Sequence, residues 1–142
     1  MKTVKQLLST KSAEIFSVSA DVSVLDGLQV MMEKNISALL IMEEHKLLGI
    51  FTERDYARKI ILQGKASVDT PIHEVMTALP ITVSPADSLD HCMQTMTNRH
   101  IRHLPVIQDG ELIGMVSIGD VVKFIIEDQK QTISQLESYI SS

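Results

Sequence analysis

Apolar positions along this 142-residue chain alternate between two rhythms. In "FSVSADVSVLDGLQVMMEKN" (residues 16–35), a short extended piece is followed by Val24, Leu28, Met31 and Met32 at helical spacing. Asp21 or Ser23 is the candidate N-cap. "ISALLIM" (36–42) is a continuous apolar run between polar residues, which predicts a buried strand. "EEHK" predicts a hairpin turn and "LLGIF" (47–51) the returning strand. "ERDYARKIILQ" (53–63) restores the helical rhythm, with Tyr56, Ile60 and Ile61 expected inward.

The same order then recurs. Ser19 falls on Ser84, Ser23 on Ser88, Met31 on Met96, Ile36 on Ile101, Gly49 on Gly114, Asp55 on Asp120 and Ile60 on Ile125. The offset is 120 − 55 = 65 residues, and it holds without a gap between those limits. The chain is a tandem duplication of a β-α-β-β-α unit. One such unit is too small to cover both faces of its sheet, so the two pack together. The fold class is α+β. "QGKASVDTPIHEVMTALP" (63–80) links the units, with "IHEVM" as a possible helical turn. Ile126, Gln129, Ile133, Leu136 and Ile140 continue past the repeat at spacings of 3, 4, 3 and 4, predicting a helical tail whose stripe needs a partner. The expected division is 1–66 (first repeat with its N-terminal segment), 67–126 (linker and second repeat) and 127–142 (tail).

Composition narrows the function classes. Apolar residues are 44% of the chain, suited to a globular protein. A net charge of −5 argues against nucleic-acid binding. No apolar run approaches the ~20 residues of a membrane span, and "MKTVKQLLSTKSAE" has no signal-peptide core. Cys92 is the single cysteine, so no internal disulfide forms, and a cytoplasmic protein is expected. His91, Cys92, His100 and His103 lack any paired metal-ligand spacing, and no metal site is expected.

The repeated Thr52-Glu53-Arg54-Asp55 and Ser117-Ile118-Gly119-Asp120, with "HLPVIQDGELIGMVS" and "VMTALPITVSPADSL", resemble the CBS domain family over nearly the whole chain. The chain is similar to a stand-alone CBS pair, or Bateman module. That resemblance implies two repeats packed with pseudo-twofold symmetry, two clefts between them, and a homodimer.

The motif residues suit a nucleotide on chemical grounds. A carboxylate accepts only, so one Asp can take both hydroxyls of a ribose diol. Thr52 or Ser117, just before a helix, places a hydroxyl near free backbone N–H groups that favour phosphate. The same Thr-x-x-Asp pattern is equally a helix cap and first-turn acid. By resemblance, such pairs bind AMP, ADP, ATP, or sometimes NAD or S-adenosylmethionine. Thr52, Arg54, Asp55, Ser117, Ile118 and Asp120 are the candidate motif contacts. Arg99, His100, Arg102 and His103 are the candidate phosphate contacts, on the alternative that Arg99 and His100 only complement a helix C-terminus. Their first-repeat counterparts, Lys34, Asn35, Ser37 and Ala38, are less basic, so the clefts are not equivalent. Strand alternation is expected to send Arg102 and His103 to opposite faces.

These residues predict a non-catalytic nucleotide sensor that signals to an effector protein. No catalytic residue or catalytic cofactor is expected. The competing classes are a structural dimerisation module with vestigial clefts, and a nucleotide hydrolase using His100 or His103.

Overall fold

The structure, a computed structural model, describes residues 2–12 and 14–141. The first repeat begins with β1 (Ser17–Val18) and α2 (Val24–Lys34), preceded by a short α1 (Val4–Leu8). It continues with β2 (Ala38–Glu43), β3 (Lys46–Thr52), α3 (Glu53–Tyr56) and a π-helical turn at Ala57–Ile61. A 3-10 turn at Ile72–Glu74 and β4 (Thr77–Ala78) follow. The second repeat holds α4 (Leu89–Arg99), β5 (His103–Gln108), β6 (Glu111–Ser117) and α5 (Ile118–Ser141).

Local chemistry sets the element ends. Ser23 caps α2 by accepting from the Asp26 N–H, and Ser88 caps α4 by accepting from the His91 N–H. Both helices end on a left-handed residue, Asn35 (φ 54°) and His100 (φ 55°). The hairpins share an irregularity, between Ile41 and Met42 in one and Val106 and Ile107 in the other. The first sheet has the order β1-β2-β3-β4, with β1 parallel to β2 and the rest antiparallel. The second has β5 and β6 antiparallel, plus a single parallel bridge from Val83 to Val106. That bridge stands where Val18 pairs with Ile41 in the first sheet.

Two apolar positions of the helical rhythm face outward. Met32 is 77% exposed, because Val24, Gly27 and Met31 form the buried edge of α2. Ile61 is 58% exposed, since only Ile60, four residues after Tyr56, turns inward. The tail is continuous with the last helix of the second repeat: α5 runs 24 residues through position 126 without a break.

Three apolar clusters hold the molecule. One joins Leu39, Ile41 and Phe51 to Ile72 and Val75. Another joins Leu104, Val106 and Val116 to Val4 and Leu7. The third, Ala38, Leu40 and Ile50 with Leu112 and Met115, seals one sheet against the other. The leading segments are thus exchanged: α1 packs on the second repeat, and the 3-10 turn packs on the first. Backbone bonds repeat the exchange. The Val4 N–H donates to the Asp87 carbonyl, as the Ile72 N–H donates to the Val22 carbonyl. This pairing matches Val4 with Ile72, an offset of 72 − 4 = 68 rather than 65. Three extra residues therefore lie between Leu8 and Phe16, compared with Met76 to Ile81.

Candidate functional site

Three clefts open between the repeats: one of about 760 Å³ where the two hairpin turns face each other, lined by Glu43, Lys46, Ile107 and Glu111 among others, and two that share one plan. The first of that pair, about 370 Å³, has a wall from the first repeat (Ser37, Ile50, Thr52, Arg54, Asp55). Its other wall comes from the second repeat (His100, Ile101, Arg102, His103), and Thr77, Leu79, Pro80 and Ile81 close one side. Six of the ten sequence candidates meet here: Thr52, Arg54, Asp55, His100, Arg102 and His103. Arg102 and His103 line the same cleft, contrary to the alternation argument. Arg102 precedes β5, which starts at His103, so strand geometry does not govern the pair. Arg99 is exposed at the end of α4 and is not part of the lining.

The motif acid is closely held. Thr52 Oγ1 accepts from the Asp55 N–H at 3.2 Å, and Asp55 Oδ2 accepts from the Thr52 N–H at 3.0 Å, a reciprocal capping box. The Thr52 hydroxyl also reaches Oδ2 at 3.2 Å. Oδ1 accepts from Thr77 Oγ1 at 3.1 Å and from Lys59 Nζ at 3.2 Å. Asp55 is only 7% exposed, and these bonds occupy the roughly four acceptor positions of a carboxylate. The π turn carries Lys59, which also donates to the Met76 carbonyl. Arg54 lines the cleft, and its Nη1 donates to the His100 carbonyl and ties the repeats together.

His103 sits where the repeats meet. Its Nε2 lies 3.2 Å from Ser37 Oγ. Burial pushes the imidazole below its ordinary pKa; Asp120 opposes this, while Arg102 and Lys11 add to it. Arg102 and His103 thus present one fixed and one inducible positive charge to the cleft.

The second cleft, about 540 Å³, is the counterpart of the first. Met115, Ile36, Ala38 and Phe16 stand in it where Ile50, Ile101, His103 and Ile81 stand in the other. Lys5, Ser9, Lys11 and Ser12 also line it. Ser117 and Asp120 repeat the capping box, with the Asp120 N–H donating to Ser117 Oγ and the Ser117 N–H to Asp120 Oδ2, both at 3.0 Å. Burial raises the Asp120 pKa, but bonds from Lys11 and Ser117 outweigh it and hold the carboxyl below its usual value. Ile118 opens α5 beside Gly119, Val122 and Ile126, in a shallow groove apart from both clefts.

Ser37, Thr77 and Lys11 were not among the sequence candidates. Thr77 lies within the 63–80 linker, in the VMTALPITVSPADSL stretch, where nothing local marks a contact to the acid, and Lys11 lies in the stretch that the repeat does not contain. Cys92 is buried and its thiol is pushed up to about 11 by burial and then by Asp87, so it offers no nucleophile. Among the described residues no group of three or more metal-ligating side chains gathers, and no helix is long and apolar enough to cross a membrane.

The profile of the CBS domain family matches residues 4–62 and again 72–127. A mitochondrial CBS domain-containing protein of Arabidopsis thaliana is 42% identical over 127 residues, 86% of this chain. The chain spans 62% of that relative's length. A solved protein with CBS domains from Burkholderia ambifaria is 46% identical, with a TM-score of 0.87 over 90% of this chain and 96% of its own. The CBS domain pair of protein MJ0100, solved in complex with 5′-methylthioadenosine and S-adenosyl-L-methionine, is 28% identical. Its TM-score is 0.77 over 87% of this chain and 99% of its own.

Proposed function

Taking as premise that the chain belongs to the CBS domain family, we propose that it is a non-catalytic regulatory module that binds an adenine nucleotide in the first cleft. The observation that carries this reading is the meeting, in one cleft, of an apolar wall, a ribose-type acid and a basic pair. Ile50, Leu79 and Ile81 offer the apolar surface for a base. Asp55 would take the ribose by giving up its Thr77 bond. Arg102 suits phosphate through its planar fork, and His103 would gain a proton as phosphate approaches. A volume of about 370 Å³ falls in the range of small-ligand sites, ~300–1,000 Å³. Support also comes from MJ0100, whose CBS pair holds two adenosine compounds. AMP is the ligand expected first; ADP, ATP and NAD share its adenosine half.

In this reading the ligand bridges the repeats and shifts their relative angle, by as much as its affinity differs between the two states. An effector protein would read that shift. The exposed stripe of Val122, Ile126, Ile133 and Leu136 on α5 suits a homodimer. A cytoplasmic location is proposed with it, although the Arabidopsis relative is mitochondrial. One observation favours the alternative of a dimerisation module with vestigial clefts: the complete hydrogen-bond set of Asp55, which leaves no oxygen waiting for a ligand.

The test is calorimetric titration with AMP and with adenosine, for the natural chain and Arg102→Ala. AMP should bind, and the variant should lose affinity for AMP more than for adenosine. Absence of binding by AMP, ATP, NAD and S-adenosylmethionine at millimolar concentration would favour the vestigial module. An equal loss for both ligands would remove Arg102 from the phosphate position.

A further inference from the structure

The two clefts follow one plan but differ at the acid. In the first, Thr52 and Asp55 are part of the wall. In the second, the described lining contains neither Ser117 nor Asp120; Lys11 and Met115 stand there. The position of Lys11 accounts for the difference. Its Nζ donates to Asp120 Oδ2 at 2.7 Å and to the Met115 carbonyl at 2.9 Å.

Asp55 has a lysine as well, but its origin is different. Lys59 lies one turn along from the acid, outside the cleft lining. Lys11 comes from the N-terminal stretch between Leu8 and Phe16, which is three residues longer than its counterpart between Met76 and Ile81. The shorter stretch brings Thr77 to Asp55, a neutral hydroxyl that a ribose hydroxyl can replace like for like. The longer one brings an ammonium to Asp120. Both partners of that pair are about a third exposed, at 32% and 29%, so water screens the bond only in part. A neutral diol would have to displace a charge-assisted hydrogen bond to reach the carboxylate. Oδ1 of Asp120 carries no bond among the described contacts, yet the residue is not on the cleft wall.

We infer that Lys11 is an intramolecular occupant of the second cleft, which closes its acid to uncharged nucleosides and makes ligand uptake one-sided. The inference rests on the nucleotide-binding reading for its ligand, but the closure itself has a separate readout. Lys11 sets which cleft accepts a ribose without touching the first cleft.

Two variants test it, Lys11→Met to remove the ammonium and Lys11→Arg to keep a donor. In calorimetry with adenosine, the natural chain should bind one equivalent per chain, Lys11→Met two, and Lys11→Arg one. Two equivalents in the natural chain, or one in Lys11→Met, overturns the assignment. The second readout is the His103 imidazole followed by NMR against pH. Asp120 raises its titration midpoint and Lys11 and Arg102 lower it. Removing Lys11 frees the charge of Asp120, so the midpoint moves up in Lys11→Met and stays in Lys11→Arg. An unmoved midpoint in Lys11→Met shows that the ion pair is not formed, whether or not any nucleoside binds. A raised midpoint with no adenosine bound by any variant keeps the closure and removes the nucleotide reading instead.

Discussion

Replacing Asp55 by alanine should destabilise the protein clearly more than replacing Asp120. Three losses contribute at Asp55. The Thr52 N–H, part-buried at the start of α3, loses its acceptor, and an orphaned buried donor costs about 1–3 kcal/mol. The Thr77 hydroxyl loses a second bond, worth about 0.5–1.5 kcal/mol before it finds another acceptor. The Lys59 pair adds little, since that side chain is 37% exposed and such pairs measure about 0–1 kcal/mol. Together these give about 1.5–5.5 kcal/mol. Asp120 makes one backbone bond and one lysine bond from a more open position, which gives about 1–3 kcal/mol for the orphaned Ser117 N–H and little for the pair, so the excess at Asp55 rests on the Thr77 bond and its deeper burial. Urea unfolding of both variants at neutral pH measures the difference as a midpoint shift at constant slope. Equal losses, or a loss at Asp55 below about 0.5 kcal/mol, would refute the conclusion that its carboxylate is committed to the structure.

Other outcomes follow from single contacts. The lowered pKa of His103 means that the unfolded chain takes up a proton first on acidification. His103 should therefore cost stability as pH falls below about 6.5, and melting curves of His103→Gln should be flatter there; an unchanged pH slope would contradict this. Asp120 acts further down: its stabilisation is present above the ordinary carboxylate range and is lost as pH falls through its lowered pKa. Gly49→Ala would set a Cβ 2.5 Å from Met76 Sδ and 2.7 Å from the Thr77 carbonyl, whereas Gly114→Ala meets only the Leu8 side chain, at 3.0 Å. The first should cost about 1–3 kcal/mol and the second less, as thermal melts of the two would show. Removal of residues 128–142 should weaken a homodimer in sedimentation at tens of micromolar, and a monomer for the intact chain would withdraw that proposal.

The hairpin strands β2, β3, β5 and β6 were legible because short apolar runs bounded by polar turns have few other folds, and the 65-residue offset supplied each assignment twice; β4 was not, since Thr77–Ala78 lie in the stretch read as linker. The five-residue α1 was not legible. It is too short for helical periodicity, and its match to the 3-10 turn lies at a different offset. Tyr56, Ile60 and Ile61 read as one inward face, which the rotation of Ile61 breaks. In the first cleft, the sequence named residues from both walls because the motif and the basic cluster each stand out locally. What it could not give is commitment. The bonds of Asp55 to Thr77 and of Arg54 to the His100 carbonyl join residues 22 and 46 positions apart, and no local pattern encodes them. The pairing of Lys11 with Asp120 spans 109 positions and begins in a segment with no motif.

The exchange of leading segments has a consequence for how such a chain can be divided. A half made of residues 1–66 would carry Val4 and Leu7, which fit the other half's core, and would lack the Ile72 and Val75 that fill its own. Two copies of a single half could satisfy both needs by trading those segments, as subunits do in a swapped dimer. The duplicated chain is such a dimer written on one thread. A nick in the linker should therefore leave the two fragments clasped to each other, each held by an arm that belongs to its neighbour.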